Sequence, residues 1–176
     1  ITQRLSLLRA GTYRVAYVAP RPDLGTFRYR AFNPVEALKT HESVSAGYFF
    51  YSDLKIIPNL ADWADALVLV RAPYDQRVEE LYRSFRNAGK KVFFDTDDLV
   101  FDPTYSSLVA SSLGDDLQEH DFDQWSAFIV NVGESLKRAD AAITTNGFLA
   151  KKITDFVDLP THIVPNTFNT HQHEAH

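Results

Sequence analysis

The sequence predicts an α/β fold built on a parallel sheet, and three observations carry that prediction. Short apolar runs of strand length recur along the chain, and segments of helical periodicity separate them. The run ALVLVR at residues 66–71 is apolar without alternation, as in strands buried on both faces. Glycine, proline and aspartate sit at the ends of these segments rather than inside most of them.

The elements follow in order. Residues 13–19 (YRVAYVA) read as the first strand, bounded by Pro20 and Pro22. Residues 27–39 read as a helix with Phe32, Val35 and Leu38 on one side. Pro34 either kinks that helix or starts it, with Asn33 as cap and Pro34 at the first position. Residues 46–51 are the second strand and 66–71 the third. Asp75 caps a helix marked by Val78, Leu81, Tyr82 and Phe85, and Gly89 ends it. Residues 91–95 form the fourth strand. Residues 103–120 read as a loop with a short helix at most. Phe122, Trp125, Ile129, Val132 and Leu136 mark a long amphipathic helix. Residues 141–145 are strand five, 148–156 a helix and 162–165 strand six. Right-handed crossovers turn this order into a Rossmann-like parallel sheet with helices on both faces. Such sheets bind ligands beyond the carboxyl ends of their strands, so the loops after Ala19, Arg71, Phe94, Thr145 and Pro165 come under scrutiny.

Composition narrows the class. The chain has 176 residues, 45% hydrophobic and 23% charged, which suits one soluble domain with a substantial core. A formal net charge of −5 argues against nucleic acid as a partner. No apolar run reaches the roughly 20 residues that span a bilayer. The absence of cysteine excludes disulfides, thiolate metal sites and a cysteine nucleophile, and fits a cytoplasmic protein. Methionine is absent too, so Ile1 is expected not to be the native start and the chain to be a fragment.

The sharpest motif is VFFDTDDLVFDP at residues 92–103. Asp95, Asp97 and Asp98 stand where the fourth strand ends. Crowded carboxylates repel one another and share a proton, a cation or a basic partner. They could grip sugar hydroxyls, act as a general base, or hold a divalent metal through hard oxygen ligands. Alternatively they cap the backbone of a tight turn. D-T-D-D-L-V also looks like the nucleophile motif of haloacid-dehalogenase-type phosphatases, although three strands precede it here and no downstream acidic pair follows. The Asp95-Thr96-Asp97 string alone also fits the metal-binding D-x-D of a GT-A glycosyltransferase.

The first strand's exit loop is the second candidate, with Asp23, Gly25, Thr26, Arg28 and Arg30. Backbone N–H groups at a helix start beside a guanidinium suit a phosphate or carboxylate. Equally, Arg28 and Arg30 could be solvated or pair with residues 95–98. A single glycine there is no dinucleotide fingerprint. Arg71 could face the cleft or equally pair with a carboxylate, and Asn146 and Asn166 are expected at the cleft edge. Lys90 and Lys91 read as a solvated turn. His171, His173 and His176 crowd the end of the sequence and could bind metal adventitiously, although a chain end is expected to be a poor catalytic scaffold. Trp63 and Trp125 are expected to pack rather than bind sugar.

Five segments, in order, carry a resemblance: RVAYVAPRPDLGTFRYRAFNPVEAL (14–38), ADALVLVR (64–71), GKKVFFDTDDLVFDP (89–103), RADAAITTNGFLAKKI (138–153) and THIVPNTFN (161–169). Together they resemble the N-terminal domain of family 4-like GT-B glycosyltransferases. That resemblance implies two Rossmann-like domains facing across a cleft. Residues 1–166 would be the acceptor-side domain, and 167–176 the start of a linker to a missing C-terminal donor-binding domain. It implies a nucleotide-sugar donor, a glycan or lipid-linked acceptor, no resident cofactor and no bound metal. It places residues 22–26 and Arg28 near the donor phosphates, Asp95, Asp97 and Asp98 on the acceptor side, and Asn166 near the hinge. The expected process is polysaccharide biosynthesis in the cytoplasm, at the inner face of the membrane if the acceptor is lipid-linked, although no amphipathic basic face is evident. Two departures stand out: the first loop keeps only Gly25 of the usual glycine pair, and Thr167 stands where glycine usually follows V-P-N. By itself the chain is expected to catalyse little. Two other readings remain, a non-catalytic sugar- or partner-binding module and a nucleotide-sugar epimerase of the same architecture.

Overall fold

β-Branched and aromatic residues bounded by turn formers make the strands, and six of them pair in parallel. The computed structural model describes residues 1–22, 25–57, 59–111, 119–169 and 172. The strands are β1 (Tyr13–Ala19), β2 (Val44–Phe50), β3 (Ala66–Val70), β4 (Lys91–Thr96), β5 (Ala141–Thr144) and β6 (Thr161–Ile163). Their order in the sheet is β2-β1-β3-β4-β5-β6, every pair parallel. The chain therefore reverses direction across the sheet between β1 and β3. A crevice opens at such a switch point, at the carboxyl ends of the two strands.

The helices are α1 (Thr2–Leu8), α2 (residues 28–38), α3 (Gln76–Asn87), α4 (Ser106–Ser111), α5 (Glu119–Leu136) and α6 (Gly147–Phe156). One face of the sheet carries most of the core: Leu8 of α1, Val78, Tyr82 and Phe85 of α3, Ile129 and Leu136 of α5, and Ile153 of α6. On the other face, α2 lays Ala31 and Val35 against Tyr17, Ala19, Ala46, Val68 and Val70. Successive residues of β1, β3 and β4 alternate between these two cores, so each is clad on both sides. The Rossmann-like α/β layer is present as the sequence predicts.

Local signals explain most boundaries. Asp75 accepts the Val78 N–H at 3.0 Å and caps α3, and Gly89 takes φ +68 where that helix must turn back to β4. Asn146 accepts the Leu149 N–H at 2.9 Å and caps α6. Gly133 lies inside α5, where a Cβ would stand 2.2 Å from the Phe101 carbonyl oxygen. That glycine lets the chain leaving β4 pass directly over the helix.

Three expectations change. α1 was not predicted; it is a short helix without a side-chain cap. Asn33 is not a cap. It has helical φ −62° and ψ −44°, and the helix runs through it from residue 28. Arg28–Phe32 is wound as a π-helix, with the Asn33 N–H reaching five residues back to Arg28. This wider turn precedes Pro34, which has no N–H to contribute. Lys90 is no solvated turn residue either, because its ammonium donates to the Ala61 and Ala64 carbonyls at 2.8 Å each. No helix among the described residues is long and apolar enough to cross a membrane.

Candidate functional site

At the switch point a cavity of about 390 Å³ opens between the ends of β1 and β3 and the side of α5. Ala19 and Val70 end its floor, and Thr26 and Phe27 stand at the start of α2. The far wall is Gln124, Trp125 and Phe128 of α5. The two rings meet edge to face, 5.4 Å between centroids at 85°. Trp125 is only half-buried, so part of its ring remains for a ligand. The sequence reading gave Trp125 to the core because it lies on the apolar stripe of its helix. The stripe does face the sheet, but it overruns the sheet's carboxyl edge at this end of α5.

Arg71 is the polar centre of the cavity. It follows β3 directly and is the one described non-glycine residue with positive φ, +44°. A left-handed backbone is costly for a side chain that carries a Cβ, and such strain persists where surrounding contacts fix it. Here they do: the Arg71 N–H donates to the Asp95 carbonyl at 2.9 Å. Its guanidinium donates to Thr26 Oγ1 and to Asp98 Oδ2, both at 2.7 Å. One side chain thus ties together the exits of β1, β3 and β4.

The three aspartates at the end of β4 have separate fates. Asp95 is buried and forms two hydrogen bonds with Arg30, to Nε at 2.6 Å and to Nη2 at 3.0 Å. Burial pushes its carboxyl up to about 6, opposed by the Arg30 charge and its hydrogen bonds. Sealed this way, it cannot serve as an exposed nucleophile, which removes the support for the phosphatase-like reading. Thr96, not an aspartate, closes the turn: its hydroxyl donates to the Asp98 carbonyl at 2.9 Å. Asp98 is largely exposed and pairs with Arg71.

Asp97 is the unusual one. Its side chain is 12% exposed, and its Oδ1 is buried with no hydrogen-bond partner. Arg71 lies 3.7 Å from that oxygen, close enough for charge attraction but too far for a hydrogen bond. Burial raises the carboxyl above its ordinary value, the neighbouring Asp98 adds to this, and Arg71 opposes it. That oxygen is sealed from solvent as well as unpaired, so a ligand reaches it only if the turn opens.

The remaining predicted residues divide cleanly. Thr26 and Arg71 reach the cavity. Arg30 does not offer itself to a phosphate; it is 1% exposed and spent on Asp95, the Val164 carbonyl (2.7 Å) and Asn166 Oδ1 (3.1 Å). Asn33 continues this clamp one turn on, donating to the Thr167 carbonyl at 2.7 Å and to Gln172 Oε1 at 3.0 Å. Asn166 is therefore a partner of α2, and Asn146 is occupied as a helix cap. Gly25 and Arg28 are exposed, and Gly25 contributes its carbonyl to the Tyr29 N–H. Asp23, His171, His173 and His176 lie outside the described residues. Trp63 packs against the larger core beneath the Arg9 guanidinium, 3.9 Å from its ring. Among the described residues no three acidic, histidine or cysteine side chains gather as metal ligands.

Compared with known families and with curated proteins, the sequence matches none.

Proposed function

We propose that this chain is the acceptor-side domain of a two-domain GT-B glycosyltransferase, transferring a sugar from a nucleotide-sugar to a glycan or lipid-linked acceptor in polysaccharide biosynthesis. The observation that carries the reading is Asp97, a largely buried carboxylate with an unfilled oxygen 3.7 Å from Arg71, which lines the switch-point cavity. In this scheme the turn at residues 97–98 shifts to uncover Asp97 Oδ1, otherwise buried, and an acceptor hydroxyl then donates to it. Arg71 holds the carboxylate in place and limits the cost of its charge. Thr26 and Arg71 line the face toward the donor, whose nucleotide would be held by a following domain. Asp95 and Arg30 only support the loop, and Asp98 anchors Arg71.

The test is transfer by this domain joined to the proposed donor-binding domain, screened over nucleotide-sugars, with Asp97→Asn beside it. Consumption of one donor in the presence of an acceptor is expected. Asp97→Asn should bind the acceptor and lose transfer by about a hundredfold or more. Absence of donor consumption by the folded protein would overturn the reading.

One observation favours a sugar-binding module without transfer. Arg30 and Arg71 are both engaged by carboxylates, which leaves neither for donor phosphates. In that case acceptor binding survives in the same experiment with no donor consumed.

A further inference from the structure

We propose that the switch-point cavity takes a single uncharged pyranose ring, seated against Trp125. The inference rests on the glycosyltransferase reading for its role but on the cavity alone for its chemistry. Size comes first. Ligand pockets run from about 300 to 1,000 Å³, and this one, at about 390 Å³, lies near the lower bound. It suits one ring rather than a whole nucleotide-sugar.

Shape comes second. Trp125 and Phe128 form an apolar corner on α5, closed on the other side by Phe27. A partly exposed indole in the cavity wall is apolar surface of the kind that packs against the C–H groups of a pyranose. The rim has side-chain groups that suit vicinal hydroxyls: Thr26, Arg71, Asp121 and the Gln124 amide.

Charge comes third and sets the class. Two arginines line the cavity, Arg21 and Arg71. Asp121 lines it too, and Asp98 and Asp97 stand 2.7 Å and 3.7 Å from the Arg71 guanidinium. With Asp98 paired to Arg71 and Asp97 facing it, the described residues give the cavity no excess of positive charge, so an anionic sugar or a phosphate would gain no net attraction there. A hydroxyl-rich neutral ring exchanges hydrogen bonds with both signs without adding charge.

The experiment uses tryptophan emission. Trp63 and Trp125 are the only tryptophans, so Trp63→Phe leaves Trp125 as sole reporter. Neutral methyl hexopyranosides, the matching methyl glucuronide, uridine and uridine monophosphate are titrated in turn. At least one neutral glycoside should change Trp125 emission saturably. Its glucuronide counterpart should bind about tenfold more weakly or worse. Gln124→Ala, at an exposed position, should weaken the neutral ligand while circular dichroism stays unchanged. The proposal is overturned if the glucuronide or either uridine ligand binds as tightly as the best neutral glycoside. It is equally overturned if no neutral glycoside perturbs Trp125 in the folded protein. Transfer activity separates the two readings: glycoside binding without transfer sinks the enzyme and spares the subsite, and transfer without Trp125 response does the reverse.

Discussion

The two ends of the sheet solve the same electrostatic problem in opposite ways. At the amino ends, Asp65 precedes β3 and Asp140 precedes β5, and each brackets a residue on the neighbouring strand. The Asp65 N–H donates to the Arg14 carbonyl, and its carboxylate accepts the Arg14 N–H and guanidinium, all between 2.7 and 2.9 Å. Asp140 repeats the device on Val92 at 2.8 and 2.9 Å, with Lys91 as the cation. Arg14 bonding lowers Asp65 to about 2. For Asp140 burial works against ionisation, yet the Val92 N–H and Lys91 outweigh it and lower its pKa. At the carboxyl ends burial dominates, and Asp95 and Asp97 are both raised. At the amino ends both carboxylates are satisfied; at the carboxyl ends Asp95 is satisfied by Arg30, Asp97 Oδ1 has no hydrogen-bond partner, and the Arg71 backbone is strained.

The largest expected break in this contrast is at the buried pair. Arg30→Ala leaves the Asp95 charge buried alone and should cost about 3–5 kcal/mol in urea denaturation. Arg30→Met combined with Asp95→Leu should recover most of that loss, because the uncompensated charge is gone. The exit segment at residues 164–169 should still exchange amide hydrogens faster, since Arg30 no longer holds it.

A smaller effect isolates the strain. Arg71→Ala and Arg71→Gly both lose the contacts to Thr26 and Asp98, but only glycine relaxes a φ of +44°. The glycine variant should be more stable than the alanine variant by about 1 kcal/mol. Equal stabilities would show that the backbone there carries no strain.

The two ends should also titrate with opposite sign. Asp65 is lowered from 3.8 to about 2, so its stabilisation is full above about pH 4 and lost as the pH falls toward 2. The stability gap between wild type and Asp65→Asn should close over that range. Asp95 is raised from 3.8 to about 6, so the folded state binds a proton there that the unfolded state does not. Wild type should therefore gain on Asp95→Asn as the pH falls from about 6 toward 4. Parallel slopes for the two variants would contradict the contrast. The smallest effect belongs to Lys91, two-thirds exposed: Lys91→Ala should cost less than about 1 kcal/mol.

Much of the fold was legible because its signals are local. Asp75, Gly89 and the apolar run at 66–71 each act within a few residues, and the strands lie within about two residues of where patterning put them. The aspartates could be assigned to the carboxyl edge for the same reason. Their separate fates could not, because these depend on partners distant in sequence: Arg30 lies 65 residues before Asp95, and Arg71 lies 27 before Asp98. Trp125 packs on Phe128 as its apolar stripe implies, but the stripe does not show that this end of the helix also borders a cavity. For residues 27–39 the sequence leaves two readings, and the π-turn before Pro34 decides for one helix running through Asn33 rather than starting there.

The clamp on the exit segment has a consequence for the order of folding. The acceptors of Arg30 lie 65, 134 and 136 residues away along the chain. Closing such long loops is slow compared with forming the helix that carries Arg30. Arg30 therefore has its full set of acceptors only once the segment after β6 is in place. A chain interrupted before Val164 could still assemble the larger core. It would do so with Arg30 deprived of Val164 and Asn166, leaving the carboxyl edge of the sheet unfinished.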